Sequence, residues 1–205
     1  MFRYPTQDQW LIRFSFNTKD ENGFTPLHRI YRNDFNIEVL KYLESQGTNV
    51  NVKGNNGWTP LHQAVFESDN SHGATVNALE CLIGNGADIN TKNNDGETPL
   101  YRAVHYTSSV DIVDCLIRNG ADINEKDEYG ETLLHYAARD GSKVGILKCL
   151  ISFGANVNTK DNDDWFTPLD LAETEEMKSI FRAAGGKSWN ELHDEMMEKY
   201  EKELE

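Results

Sequence analysis

The chain is poor in cysteine and proline, with three of the former and five of the latter among 205 residues, and it is short of positive charge. Three cysteines cannot build the disulfide framework of a small secreted domain. Apolar residues never run together for the ~20 positions that a membrane-spanning helix requires. Lysine and arginine total 20 against 34 aspartates and glutamates, a formal net charge of −14. That deficit argues against nucleic acid and anionic membranes, which are bound by basic side chains that displace counterions. It favours a partner protein with a basic or mixed surface, which an acidic face steers in. The opening residues Met1 to Trp10 lack the basic-then-apolar build of a secretory leader. There is no Asn-x-Ser/Thr sequon either, so the expected location is cytoplasmic, with the nucleus or a host cytosol also open. Hydrophobic residues make up 38% of the chain, enough for it to fold rather than stay disordered.

What the sequence does have is repetition. Thr25-Pro26-Leu27-His28 recurs as Thr59-Pro60-Leu61-His62 and Thr98-Pro99-Leu100-Tyr101, then as Thr132-Leu133-Leu134-His135 and Thr167-Pro168-Leu169-Asp170. The steps are 34, 39, 34 and 35 residues. A second marker keeps the same phase: Gly47-Thr48-Asn49-Val50-Asn51, Gly86-Ala87-Asp88-Ile89-Asn90, Gly120-Ala121-Asp122-Ile123-Asn124 and Gly154-Ala155-Asn156-Val157-Asn158. Thr suits the cap of a helix and Pro its first turn, where a missing N–H does no harm. The glycine of the second marker accepts the left-handed conformation that ends a helix. Gly23, Gly57, Gly96 and Gly130, each two residues before the Thr, suit a tight turn.

These residues resemble the repeat of the ankyrin family, a hairpin-like turn followed by two antiparallel helices. The resemblance covers roughly residues 17–186 and implies an all-α repeat solenoid, elongated and curved, of about five repeats. The period here is one residue above the usual ~33. The second repeat carries five further residues between its helices, giving the polar stretch Glu67 to Thr75. The fifth hairpin, Asp161-Asn162-Asp163-Asp164-Trp165-Phe166, lacks the glycine and gains a residue, and its repeat is short, as terminal capping repeats are. Residues 1–16, with Trp10-Leu11-Ile12-Arg13-Phe14, read as a degenerate half-repeat. Residues 187–205 read as an acidic C-terminal helix, opened by the capping box Ser188-Trp189-Asn190-Glu191. Trp189, Leu192, Met196 and Tyr200 follow at helical spacing, and the helix either caps the array or docks a partner.

A stack of such units presents an extended binding surface and no enclosed cleft for a reaction, and the family is used overwhelmingly for protein–protein contacts. The resemblance places the hairpin positions flanking the turn glycine, and the exposed ends of the first helices, on a concave side. In this chain those positions hold Phe24, Trp58, Glu97, Tyr129, Glu131, Trp165 and Phe166 on the hairpins. Phe66, His105, Tyr106 and Arg139 stand at the helix ends, together with Arg32 and Glu67. Aromatic anchors among carboxylates fit a basic or mixed protein segment. A monomeric, non-catalytic interaction module or scaffold is the expected function. An inhibitor or immunity-type protein masking a basic enzyme site is the alternative. A further one is a substrate of an asparagine hydroxylase, which in some family members modifies the last Asn of the second marker; Asn90 and Asn124 match that position best.

Constellations that would carry chemistry fail on inspection. Cys81, Cys115 and Cys149 are 34 apart, one per repeat. Stacked helices lie ~8–10 Å apart, beyond the ~7 Å reach of a disulfide, so reduced, buried thiols are expected. That spacing does not converge on a zinc ion. His28, His62 and His135 belong to the repeat motif, where the resemblance implies that the ring bonds to hairpin backbone. Gly186-Lys187-Ser188 lacks the earlier glycine of a phosphate loop, since Phe181 stands there. The acidic turn from Asp161 lacks the Gly and Glu of a calcium loop, having Phe166 and Ala172 instead. No catalytic residue, metal site or cofactor is expected.

Overall fold

The computed structural model describes residues 17–30, 37–66 and 74–204. The half-repeat expected over 1–16, Arg32, Glu67 and most of the second repeat's polar loop lie outside the described residues. The chain divides between Ala121 and Asp122 into two compact units.

Ten α-helices and no strand occur among the described residues. In the first unit these are α1 (Pro26–Arg29), α2 (Ile37–Ser45), α3 (Pro60–Phe66), α4 (Ala74–Gly84), α5 (Pro99–Tyr106) and α6 (Val110–Arg118). The second unit holds α7 (Leu133–Ala138), α8 (Val144–Ser152), α9 (Glu175–Ala183) and α10 (Trp189–Leu204). A short 3-10 turn, Gly141–Lys143, leads into α8. In the first unit α3 packs between α1 and α5, while α4 packs against α2 and α6, so first helices and second helices form separate layers. The leucines Leu27, Leu61 and Leu100 of one layer, and Leu40, Leu79, Leu82 and Leu116 of the other, are fully buried. Each contributes roughly 1.5–3 kcal/mol by leaving water. In the second unit α8 packs on α7 and α9, and Leu134, Ile146, Leu147 and Phe181 form its core.

The fifth repeat departs from the two-helix expectation: its first helix is reduced to a turn over 168–171. Thr174 caps α9 only seven positions after Thr167, with its side chain accepting from the Met177 amide. That leaves no length for a complete first helix.

The repeat motif works through its histidine. The Thr25, Thr59 and Thr132 amides donate to Nδ1 of His28, His62 and His135 at 2.9–3.2 Å. An amide can donate only to an unprotonated Nδ1, so Nε2 carries the hydrogen. Nε2 then donates to the hairpin carbonyl of the next repeat: His28 to Trp58, His62 to Glu97 and His135 to Phe166, at 3.1–3.2 Å. Burial is the main reason that His28 and His62 fall to about 4, and it lowers His135 as well.

At the hairpin tips Gly23 and Gly57 have φ of 72° and 77°. A Cβ on either would lie within 2.5 Å of the side-chain oxygen of Asn55 or Asn94 in the next hairpin, so both φ and space demand glycine. Trp165 occupies the equivalent turn position of the fifth hairpin with φ 62°, the one non-glycine residue at positive φ among the described residues. The extra residue of that hairpin lengthens its closure, from Asp127 N to Glu131 O in the fourth to Asp161 N to Phe166 O in the fifth.

Candidate functional site

In the first unit the expected site residues Trp58, Phe66, Glu97 and Tyr106 come together around a residue that sequence reasoning passed over, Arg102 on α5. Its guanidinium carbon lies 4.0 Å from the Trp58 ring centroid and 4.5 Å from that of Tyr106. Phe66 packs edge-on to Trp58, and its ring centroid is 5.7 Å from the guanidinium. Arg102 Nη1 donates to Glu97 Oε2 at 2.6 Å, and the Tyr106 hydroxyl donates to Glu97 Oε1 at 3.2 Å. Asn93 Nδ2 adds a third bond to Glu97 at 3.0 Å. Burying a guanidinium costs several kcal/mol. The Glu97 charge and two aromatic faces, each worth ~0.5–2 kcal/mol, offset that cost. Burial, followed by the Glu97 charge, raises the Tyr106 hydroxyl above its ordinary value. One face of Trp58 is thus covered, whereas Phe66 and Tyr106 each stay 50% exposed. His105 stacks on Tyr101 at 5.7 Å and touches the Tyr106 ring.

Phe24 stands apart from this cluster. Its ring stacks on His28 at 4.8 Å, Arg29 lies over it at 4.7 Å, and it presses on Gly54, where any Cβ would be 2.4 Å away. Packing on the neighbouring hairpin already occupies this residue.

In the second unit Tyr129, Glu131, Arg139 and Phe166 line one pocket of about 340 Å³ with Asp161, Asp163, Asp164 and Leu171. Arg139 grips Glu131 through both terminal nitrogens, one at 2.9 Å, and this pairing holds the Glu131 carboxyl below its ordinary value. Asp161 is buried and spends Oδ1 on the amides of Asp164 and Phe166, which shapes the hairpin. Trp165 lines a different concavity, with Lys126 and Lys160, and packs at a tilt of 31° on Trp189, ring centroids 5.7 Å apart. Tyr129 and Trp165 are each 54% exposed.

Asn90 and Asn124 lie at the surface, and both have structural work within their own unit. Asn90 Nδ2 donates to the Gly120 carbonyl at 3.1 Å, and Asn124 Oδ1 accepts from the Asn156 amide at 2.8 Å. Asn51 and Asn158 do the same toward Gly86 and Gly185. The last Asn of the second marker therefore clamps the following repeat.

Residues 7–79, 70–161 and 105–182 match the profile for ankyrin repeats (three copies). The chain belongs to the ankyrin-repeat family. Its fold class is accordingly an all-α repeat solenoid, and ankyrin repeats generally mediate protein–protein interaction. No curated protein matches the chain significantly.

Further devices of this ankyrin array escaped the motif reading. Lys19, Lys53 and Lys126 each donate Nζ to the backbone carbonyl of the lysine one repeat on, Lys53, Lys92 and Lys160, at 2.9–3.1 Å. Their signal was a lysine six residues before each of the first four motif threonines and seven before the fifth, hidden among many exposed charges. Lys160 lies instead over the Trp189 ring, 4.4 Å from its centroid. Asp170, in the histidine position, accepts from the Thr167 amide and hydroxyl and from the Trp189 amide, all at 2.8–2.9 Å. Lys187 N donates to Asn158 Oδ1, and Ser188 and Glu191 close the expected capping box. Helix α10 is thus fastened at its start, while Met196, Met197 and Tyr200 stay 41–58% exposed. Among the described residues no helix is long and apolar enough to cross a membrane, and no three His, Cys, Asp or Glu side chains cluster to hold a metal. Cys81, Cys115 and Cys149 are free thiols, and burial pushes that of Cys115 up to about 11.

Proposed function

We propose that the chain is a non-catalytic interaction module that holds a basic or mixed segment of a partner protein against its hairpins and first-helix ends. The observation that carries this reading is the set of half-exposed aromatic rings standing beside carboxylates. In the first unit these are Tyr106, bonded to Glu97, and Phe66, beside the Arg102 that Glu97 holds; in the second they are Tyr129 and Phe166 in one pocket with Asp163 and Asp164. Large rings that leave water on binding supply most of the energy of an interface. Acidic neighbours choose a cationic partner and speed its approach. Phe24 and the covered face of Trp58 contribute rigidity to the hairpins of the first unit.

The test is cross-linked capture from source-cell lysate with wild type and a Phe66→Ala, Tyr106→Ala, Tyr129→Ala variant whose folding is first checked by thermal melting. Partners lost from the folded variant support the reading. An unchanged set of partners refutes it for these residues. If a captured enzyme loses activity when bound, the module acts as an inhibitor; if its activity persists, the module acts as a scaffold.

A further inference from the structure

Two hairpin rings of the first unit each seat a guanidinium. The residue before the motif Thr is aromatic in three repeats, as Phe24, Trp58 and Phe166. Four residues after the Thr stand Arg29 in the first repeat and Arg102 in the third. Arg29 covers the ring of its own repeat, Phe24, at 4.7 Å, whereas Arg102 covers the ring of the preceding repeat, Trp58, at 4.0 Å, so the cation comes from the same repeat or from the next one. Each of these guanidinium groups also meets a carboxylate of its own unit, Asp20 or Glu97, at 2.6 Å. A cation on a ring face beside a carboxylate is therefore a motif that this protein builds repeatedly from its own side chains.

The fifth repeat keeps the ring and omits the cation. Leu171 stands where the arginine would be, and the chain continues into α9 and α10 instead of a sixth first helix that could supply one. Phe166 is 39% exposed, and no cationic group lies over its ring among the described residues. The pocket it lines is walled on another side by Tyr129, and at about 340 Å³ it is roomy enough for one arginine side chain. Its lining has four carboxylates against the single guanidinium of Arg139, which Glu131 already holds. Asp163 and Asp164 enter no ion pair among the described residues.

We infer that this pocket receives an arginine side chain of the partner, its guanidinium stacked on Phe166 and paired with Asp163 or Asp164. The inference rests on the reading of these hairpins as a protein-binding surface and names what that surface grips in the second unit.

The probe is N-acetyl-argininamide, titrated into the full chain and followed by amide shifts in two-dimensional NMR, with the neutral, nearly isosteric N-acetyl-citrullinamide as control. Saturable shifts at Tyr129, Asp163, Asp164 and Phe166 are expected, with the citrulline analogue at least about tenfold weaker. Leu171→Arg places the protein's own guanidinium on the empty ring and removes binding. Ser179→Arg on α9, which makes the same charge change outside the pocket, retains it within about twofold. If the spectrum shows Leu171→Arg to be misfolded, Phe166→Leu provides the same comparison, removing the ring face while keeping the apolar bulk. Absence of saturation, equal response to both probes, or equal binding by Leu171→Arg and Ser179→Arg would overturn the inference. If these tests fail while partner capture still depends on the exposed aromatics, only the arginine seat falls. If argininamide binds while capture is indifferent to the aromatics, the seat stands and the broader reading falls.

Discussion

Acidification should loosen this array through its motif histidines well before most carboxylates titrate. His28 and His62 have fully buried side chains, and burial brings each from 6.5 to about 4. The folded pKa lies below the unfolded one, so between those values the unfolded chain binds protons that the folded chain refuses. Stability is complete above about pH 6.5, falls as the pH drops toward 4 and levels off below that for these two groups. At pH 5 the linkage amounts to about 2 kcal/mol for each ring relative to pH 8. His135 contributes in the same direction, also because it is buried. The assay is urea denaturation followed by far-ultraviolet circular dichroism from pH 8 to pH 5, on wild type and on His62→Gln. The variant loses the cross-repeat bond to Glu97 O and is expected to be less stable at pH 8 by about 1–2 kcal/mol. It should also be flatter in pH, by about the 2 kcal/mol that one ring supplies. A variant whose pH dependence matches wild type would refute the argument, since the carboxylates are the same in both proteins.

Two further outcomes follow from local geometry. Gly57→Ala, at φ 77° with the new methyl 2.5 Å from Asn94 Oδ1, should lower stability by about 2 kcal/mol in the same urea assay. Arg102→Ala, which strips Glu97 of its partner at 2.6 Å and opens a void between Trp58 and Tyr106, should cost about 4 kcal/mol, whereas Arg102→Met, which refills much of that space but still leaves Glu97 without its cation, should cost about 3 kcal/mol.

The fold was largely legible because ankyrin repeats write their local physics in short range. A threonine cap, a proline in the first turn and a glycine at positive φ act within four or five residues, and periodicity repeats the message. The histidine link was legible only through family resemblance, because its acceptor lies 30 to 35 positions away. Gly54 was unreadable in isolation: it is glycine because the Phe24 ring of the preceding hairpin fills the space of a Cβ. Arg102 went unnoticed for the same kind of reason. Tyr106 and Glu97 are its neighbours along the chain, but the Trp58 and Phe66 rings belong to the preceding repeat and only packing brings them to it.

By itself, then, the sequence determined the repeat, the helix boundaries set by caps and turns, the acidic composition and the free thiols, since each depends on composition or on neighbours along the chain. The tertiary structure decided which aromatic rings remain available. Phe24 and Trp58 have ring faces covered by arginines, Trp165 turns toward Trp189, and Phe166 and Tyr129 open onto an acidic pocket. Sequence spacing puts Phe24, Trp58 and Phe166 at equivalent positions. Whether a cation covers each ring depends on side chains from the same or the following repeat, and so on packing across the stack.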